Sequence, residues 1–171
     1  MSLSQGFEPV ARSDARVLIL GSLPGQRSLD EQQYYAHPRN AFWGIMRDLF
    51  GIDGDYEQRC KGLESARIAL WDVLQASVRR GSLDADIQLE TANANDFAAF
   101  FSRHPGIELI VFNGKKSEAL FRKLVRGAGL ETLAMATLPS TSPAYAAMTY
   151  SGKLKAWRAA LQLIQETDGP N

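Results

Sequence analysis

Two segments of this chain mix chain-breakers, hydroxyls and rings in ways a plain connection does not need. Gly21-Ser22-Leu23-Pro24-Gly25 sets two glycines and a proline directly behind an apolar run. Glycine after a strand lets another group approach the backbone closely, although an ordinary strand-to-helix turn uses the same residues. The segment is neither GxGxxG nor a phosphate-binding P-loop, whose lysine it lacks. Further on, residues 33–43 hold five rings (Tyr34, Tyr35, His37, Phe42 and Trp43) interleaved with Arg39 and Asn40. An aromatic plane beside an amide suits a flat heterocycle, which is held by stacking and by hydrogen bonds to its edge. Tyr35 and Asn40 are the candidates for that task, with a helix N-cap as the alternative for Asn40. Phe42 and Trp43 have the spacing of core residues.

Three further positions carry chemistry at the ends of apolar runs. Asp72 is a carboxylate inside a strand pattern, either a site residue or a capped turn, and it is the one carboxylate placed for acid–base work. Asn113 ends a strand before Gly114 and reads equally as a site residue or a turn residue. Leu138-Pro139-Ser140-Thr141-Ser142-Pro143 is a rigid, small, hydroxyl-rich loop that can contact phosphate without bulk. Ser140 and Ser142 lack the His–Asp partners and the elbow that a nucleophilic serine requires. Lys115, Lys116, Arg122, Lys123 and Arg126 form a modest basic face, either solvated surface or a phosphate contact.

The elements that must position these residues follow from periodicity. Residues 16–20 and 107–113 are strong strands, 67–74 a further strand, and 132–138 a weaker one. Helices are expected over 41–50, stopped by Gly51, over 97–102 behind an Asn95-Asp96 cap, over 117–125, and over 153–166 with Leu154, Trp157, Leu161 and Ile164 on one face. Residues 75–92 read as a loop. Strands alternating with helices predict an α/β domain, a three-layer αβα sandwich around a mostly parallel four-stranded sheet. Ligands of such sheets bind beyond the carboxyl ends of the strands, where the segments 21–25, 71–72, 113–116 and 139–143 lie.

Composition narrows the class. The chain has 171 residues, 19 Lys+Arg against 19 Asp+Glu, and 45% apolar residues. These values fit one folded domain spanning 1–171, with 1–12 and 167–171 expected as flexible termini. A neutral balance argues against a nucleic-acid coat protein, but allows an enzyme that touches a few phosphates. One cysteine, Cys60, and two histidines leave no material for a disulfide scaffold or a Cys- or His-rich metal centre. No apolar run suits a membrane span and no leader pattern opens the chain, so a cytoplasmic, monomeric protein is expected.

Taken in order, the segments at 21–25, 34–43 (Tyr-Tyr-Ala-His-Pro-Arg-Asn-Ala-Phe-Trp) and 138–144 resemble the uracil-DNA glycosylase superfamily. The resemblance runs from about Val17 to Trp157 and is nearest to the hypoxanthine-DNA glycosylase branch, beside the mismatch-specific uracil enzymes. It implies a repair enzyme that flips a deaminated base from damaged or mismatched DNA and hydrolyses its N-glycosidic bond, with no metal or cofactor. By this resemblance Gly21, Ser22, Leu23, Pro24 and Gly25 form one pocket wall and hold the attacking water. Tyr35 stacks on the base, Asp72 and Asn113 face the pocket, and Asn40 is catalytic. Pro139, Ser140, Thr141 and Ser142 meet the DNA backbone, and Lys115, from the basic face above, is expected to touch it too. Leu23 and Leu138 stand where many members carry polar groups that bind water or stabilise the leaving base. They raise the alternative of a catalytically inactive nucleic-acid-binding domain of the same fold. Gly25 replaces a bulky ring and implies room for a purine.

Overall fold

The computed structural model describes residues 3–79, 82–127 and 130–167. Its centre is a four-stranded sheet of β2 (Val17–Gly21), β3 (Ile68–Asp72), β6 (Leu109–Asn113) and β7 (Ala134–Leu138), in the order β3-β2-β6-β7. All neighbouring pairs are parallel, so the expected mostly parallel sheet is wholly so. In β2, β3 and β6 every residue is buried, as a sheet covered on both faces demands.

Alternate residues of each strand serve opposite cores. Val17, Ile19, Ile68, Leu70, Leu109 and Val111 face the layer that includes α2 (Phe42–Phe50), α3 (Tyr56–Ser65) and α6 (Tyr150–Thr167). Leu18, Leu20, Ala69, Trp71, Ile110 and Phe112 face α4 (Phe97–Arg103) and α5 (Lys115–Leu124). Phe42 and Trp43 belong to the first core, as their spacing predicts, and Trp157 and Leu161 are fully buried beside them. The side chain of Ile164 and the tail 168–171 lie outside the described residues. No helix among the described residues is long and apolar enough to cross a membrane.

The structure departs from expectation around a second sheet. The run at 67–74 does not continue as one strand. It breaks at Val73, after which β4 (Leu74–Val78) pairs antiparallel with β1 (Leu3–Gln5) and β5 (Asn93–Ala94). The described residues of 75–92 hold a strand and two short 3-10 turns where a loop is expected. Buried Ser77 replaces apolar packing with a hydroxyl contact to Thr91 at 3.2 Å, a pairing that periodicity does not reveal. Residues 3–12 are likewise no loose tail. Beyond β1, Trp71 Nε1 donates to the Phe7 carbonyl at 3.0 Å and Tyr34 Oη to that of Glu8 at 2.9 Å. Val10 bridges Leu70 through both backbone groups. Two helices were not foreseen, α3 and the short α1 (Gln26–Glu31).

Candidate active site

The strand order reverses between β2 and β6: one crossover leaves β2 on one side and the next passes to the other. Open α/β sheets bind ligands in the crevice at such a switch point. Here a cavity of about 550 Å³ opens over the carboxyl ends of β2, β3 and β6, bringing together Gly21–Gly25, Tyr35, Asn40, Asp72, Asn113 and Ser140–Ser142. Pro139 and Lys115 do not line it, and Lys115 is exposed on the first turn of α5.

Asp72 forms the floor. It is 4% exposed, and its Oδ2 is buried without a hydrogen-bond partner. Burial, reinforced by the nearby Asp84 and opposed by Arg79, pushes the carboxyl up to about 7. An unpaired buried carboxylate is costly, so the group favours its neutral form. Gly21 makes this placement possible: a Cβ there would stand 2.5 Å from Asp72 Oδ1 and 2.8 Å from Tyr35 Oη. The glycine exists for close approach, in the way the sequence allows.

Tyr35 adopts a left-handed backbone, with φ of 54°. A bulky residue there is strained, and such strain tends to collect at functional sites. Its ring packs on Phe42 with centroids 4.3 Å apart and planes inclined by 32°. Its hydroxyl accepts from Asn113 Nδ2 at 3.1 Å, while burial raises its pKa far beyond reach, keeping it neutral. Asn113 also donates to Thr141 Oγ1 at 2.9 Å and accepts from the Thr141 N–H at 2.9 Å. Both of its donors are thus spent joining β6 to Tyr35 and to the 139–143 loop. That leaves one acceptor position for anything else.

The 139–143 loop is fixed from several sides. Trp157 Nε1 donates to the Pro139 carbonyl at 3.0 Å, Lys153 Nζ to that of Ser142 at 3.2 Å, and the Ala41 N–H to that of Thr141 at 2.9 Å. Ser140 and Ser142 accept from the N–H groups of Ser142 and Ala144, each at 3.1 Å. Asn40 Oδ1 accepts from the Phe42 N–H at 3.0 Å and steadies the start of α2, while Ala41 holds the N-cap position itself. With Oδ1 so engaged, Nδ2 remains as a donor for the cavity.

Four lining or bracing residues carried no signal in the sequence. Arg79 is buried and donates to the carbonyls of Leu23 (3.4 Å) and Pro24, bracing the first loop. Asp84 accepts from Ser22 Oγ at 3.2 Å. Ser82 and Leu83 complete that wall. They sit in a polar stretch with neither alternation nor helical period, so only the tertiary fold reveals them. A second cavity of about 670 Å³ adjoins the first, sharing Tyr35, His37, Asn40, Pro143 and Tyr145, and is lined by Arg39, Arg47, Arg59 and Lys153. A ring-lined pocket beside a cationic groove matches a base with its attached phosphates.

The chain is 40% identical over 131 residues to a hypoxanthine DNA glycosylase of Methanosarcina barkeri, covering 75% of this chain and 81% of the relative. It is 41% identical over 145 residues to a hypoxanthine DNA glycosylase of Methanosarcina acetivorans, covering 83% and 88%. A solution NMR structure from Methanosarcina acetivorans, described as a candidate uracil DNA glycosylase, superposes with a TM-score of 0.80 at 35% identity, over 96% of this chain and 99% of that one. The family model of the uracil DNA glycosylase superfamily matches residues 8–164, a span that holds every residue of the cavity, and the chain belongs to that superfamily.

Proposed function

We propose that this DNA glycosylase removes a deaminated base from DNA, hypoxanthine before uracil or a mismatched pyrimidine, and leaves an abasic site. The observation that carries the reading is the unpaired, buried carboxyl of Asp72 at the floor of a ring-lined cavity. A neutral carboxyl offers one donor and one acceptor side by side. From the cavity floor such a group can hydrogen-bond the edge of a base, including the N–H beside C=O that deamination of adenine or cytosine creates. Because a mispaired base is cheaper to extrude, such a lesion also reaches the pocket more readily.

The reaction passes through a sugar with oxocarbenium character while the base departs with negative charge. Asn40 does not titrate near neutrality, so it serves as an orienting donor, through Nδ2, to the attacking water or to the departing base. Tyr35 provides the plane on which the base rests, backed by Phe42. Ser140 and Ser142 line the mouth, where the sugar–phosphate backbone would pass. Leu23 cannot hold water by its side chain, which leaves that task to Asn40 and to the backbone of the first loop.

The test is base release from labelled duplexes carrying hypoxanthine, uracil or thymine opposite each partner, followed by alkali. Strand scission at hypoxanthine supports the proposal. A folded protein that cuts none of these duplexes refutes it.

A further inference from the structure

The wall beside Gly25 is built by a segment remote in sequence. A Cβ on Gly25 would meet Ser82 Cβ at 3.3 Å and Ser82 Oγ at 3.4 Å. The room that glycine implies at this position is therefore already occupied, by another part of the chain. Ser82 is seated by the Gln26 N–H, which donates to its Oγ at 2.8 Å. Two residues on, Asp84 is tied to Ser22 at 3.2 Å. On the other side of the segment, Arg79 grips the carbonyls of Leu23 and Pro24 from a fully buried position. The first loop is thus bonded to this segment along most of its length.

Between the ties stands Leu83. It is 53% exposed and lines the cavity together with Ser82, Asp84 and Ala85. Most large apolar side chains of this protein pack into one of its two cores, and Leu83 belongs to neither. It shares the lining of this cavity with Tyr35 and Asn40.

Resting on the glycosylase reading above, we propose that Leu83, held in place by Ser82 and Asp84, sets the size of base the pocket admits, a task that a side chain at position 25 would otherwise perform. Base-size selectivity then resides in a segment outside the first loop. It can be altered without touching the residues that break the bond.

The experiment compares the wild type with Leu83→Phe and Leu83→Ala. Single-turnover release is measured on hypoxanthine and uracil duplexes, alongside affinity for a duplex with a tetrahydrofuran abasic analogue, which puts no base in the pocket. Leu83 is exposed, so both variants should fold, and a melting curve checks this. Leu83→Phe should slow hypoxanthine release by about tenfold or more, the scale of a lost fit in an apolar pocket. Any uracil release should slow less, because the smaller ring clears the wall. Abasic affinity should stay within about twofold in both variants. Unchanged hypoxanthine release in Leu83→Phe overturns the inference alone. So does a loss that tracks abasic affinity, since Leu83 would then be a contact to the DNA surface. A wild type that releases no hypoxanthine refutes the functional reading and takes this inference with it.

Discussion

Replacing Asp72 with asparagine should make the protein more stable and less active at once. The folded carboxyl titrates at about 7, against an ordinary value of 3.8. A carboxyl raised in this way binds a proton in the folded state that the unfolded chain releases. Stability therefore falls as pH climbs from 3.8 towards 7, and the full cost stands above that. At ~1.36 kcal/mol per pH unit, the cost is about 2 kcal/mol at pH 5 and about 4 kcal/mol at pH 8. Asparagine has nearly the same shape and no charge to desolvate, so Asp72→Asn should recover up to those amounts. Urea unfolding of both proteins at pH 5 and pH 8 isolates the effect, because other titrating groups are common to the two. The gain should grow by about 2.5 kcal/mol across that interval. A pH-independent difference, or a variant less stable at pH 8, would refute the argument that burial of this one group is what shifts it. Base release should fall in the variant, and an inflection of the rate near pH 7 should vanish with the carboxyl.

Other expectations follow from the contacts. Asn40→Asp keeps the oxygen that accepts from Phe42 but loses the amide donor, so it should abolish base release at nearly unchanged melting temperature. Asn40→Ala should lose the same activity and also about 1 kcal/mol of stability, the scale of one lost side-chain hydrogen bond. Tyr35→Phe strands one Asn113 donor in a buried setting, and chemical denaturation should show a loss of about 1–3 kcal/mol. Phe42→Ala, deep in the core, should cost about 3–5 kcal/mol by the same measurement. Arg39→Ala should reduce the slope of log affinity against log salt by about 1 if Arg39 meets one phosphate in the adjoining groove.

The parts of this molecule that were legible in the sequence are those where one physical signal dominates. Val17–Leu20 and Leu109–Phe112 are dense in β-branched and large apolar residues because both sheet faces are covered. The four strand-end segments could be placed at a common site from topology alone. The unforeseen parts obey weaker or non-local signals. The capping box of α3, Asp55 with Gln58, was written in the chain but not backed by an apolar face, since Leu63 is its only buried residue. β1 and β5 have three and two residues, too few to show a period. Arg79 is a buried cation among polar neighbours, and its meaning lies in two carbonyls more than fifty positions away. For Asn113 the structure supplies what the sequence left open, namely how much of its amide is already engaged.

The break at Val73 has a practical consequence for anyone choosing where this protein should begin. Asp72 is the last residue of β3, and only Val73 separates it from β4 of the other sheet. The second sheet is anchored by residues 3–5, and the neighbouring stretch ties to Trp71, Tyr34 and Leu70. A boundary drawn at about residue 12, just ahead of the first strong strand, would leave most of the core untouched. It would remove the support on one side of the cavity floor. The damage would then surface at the centre of the molecule as a poorly placed carboxyl, not at its end as a frayed terminus.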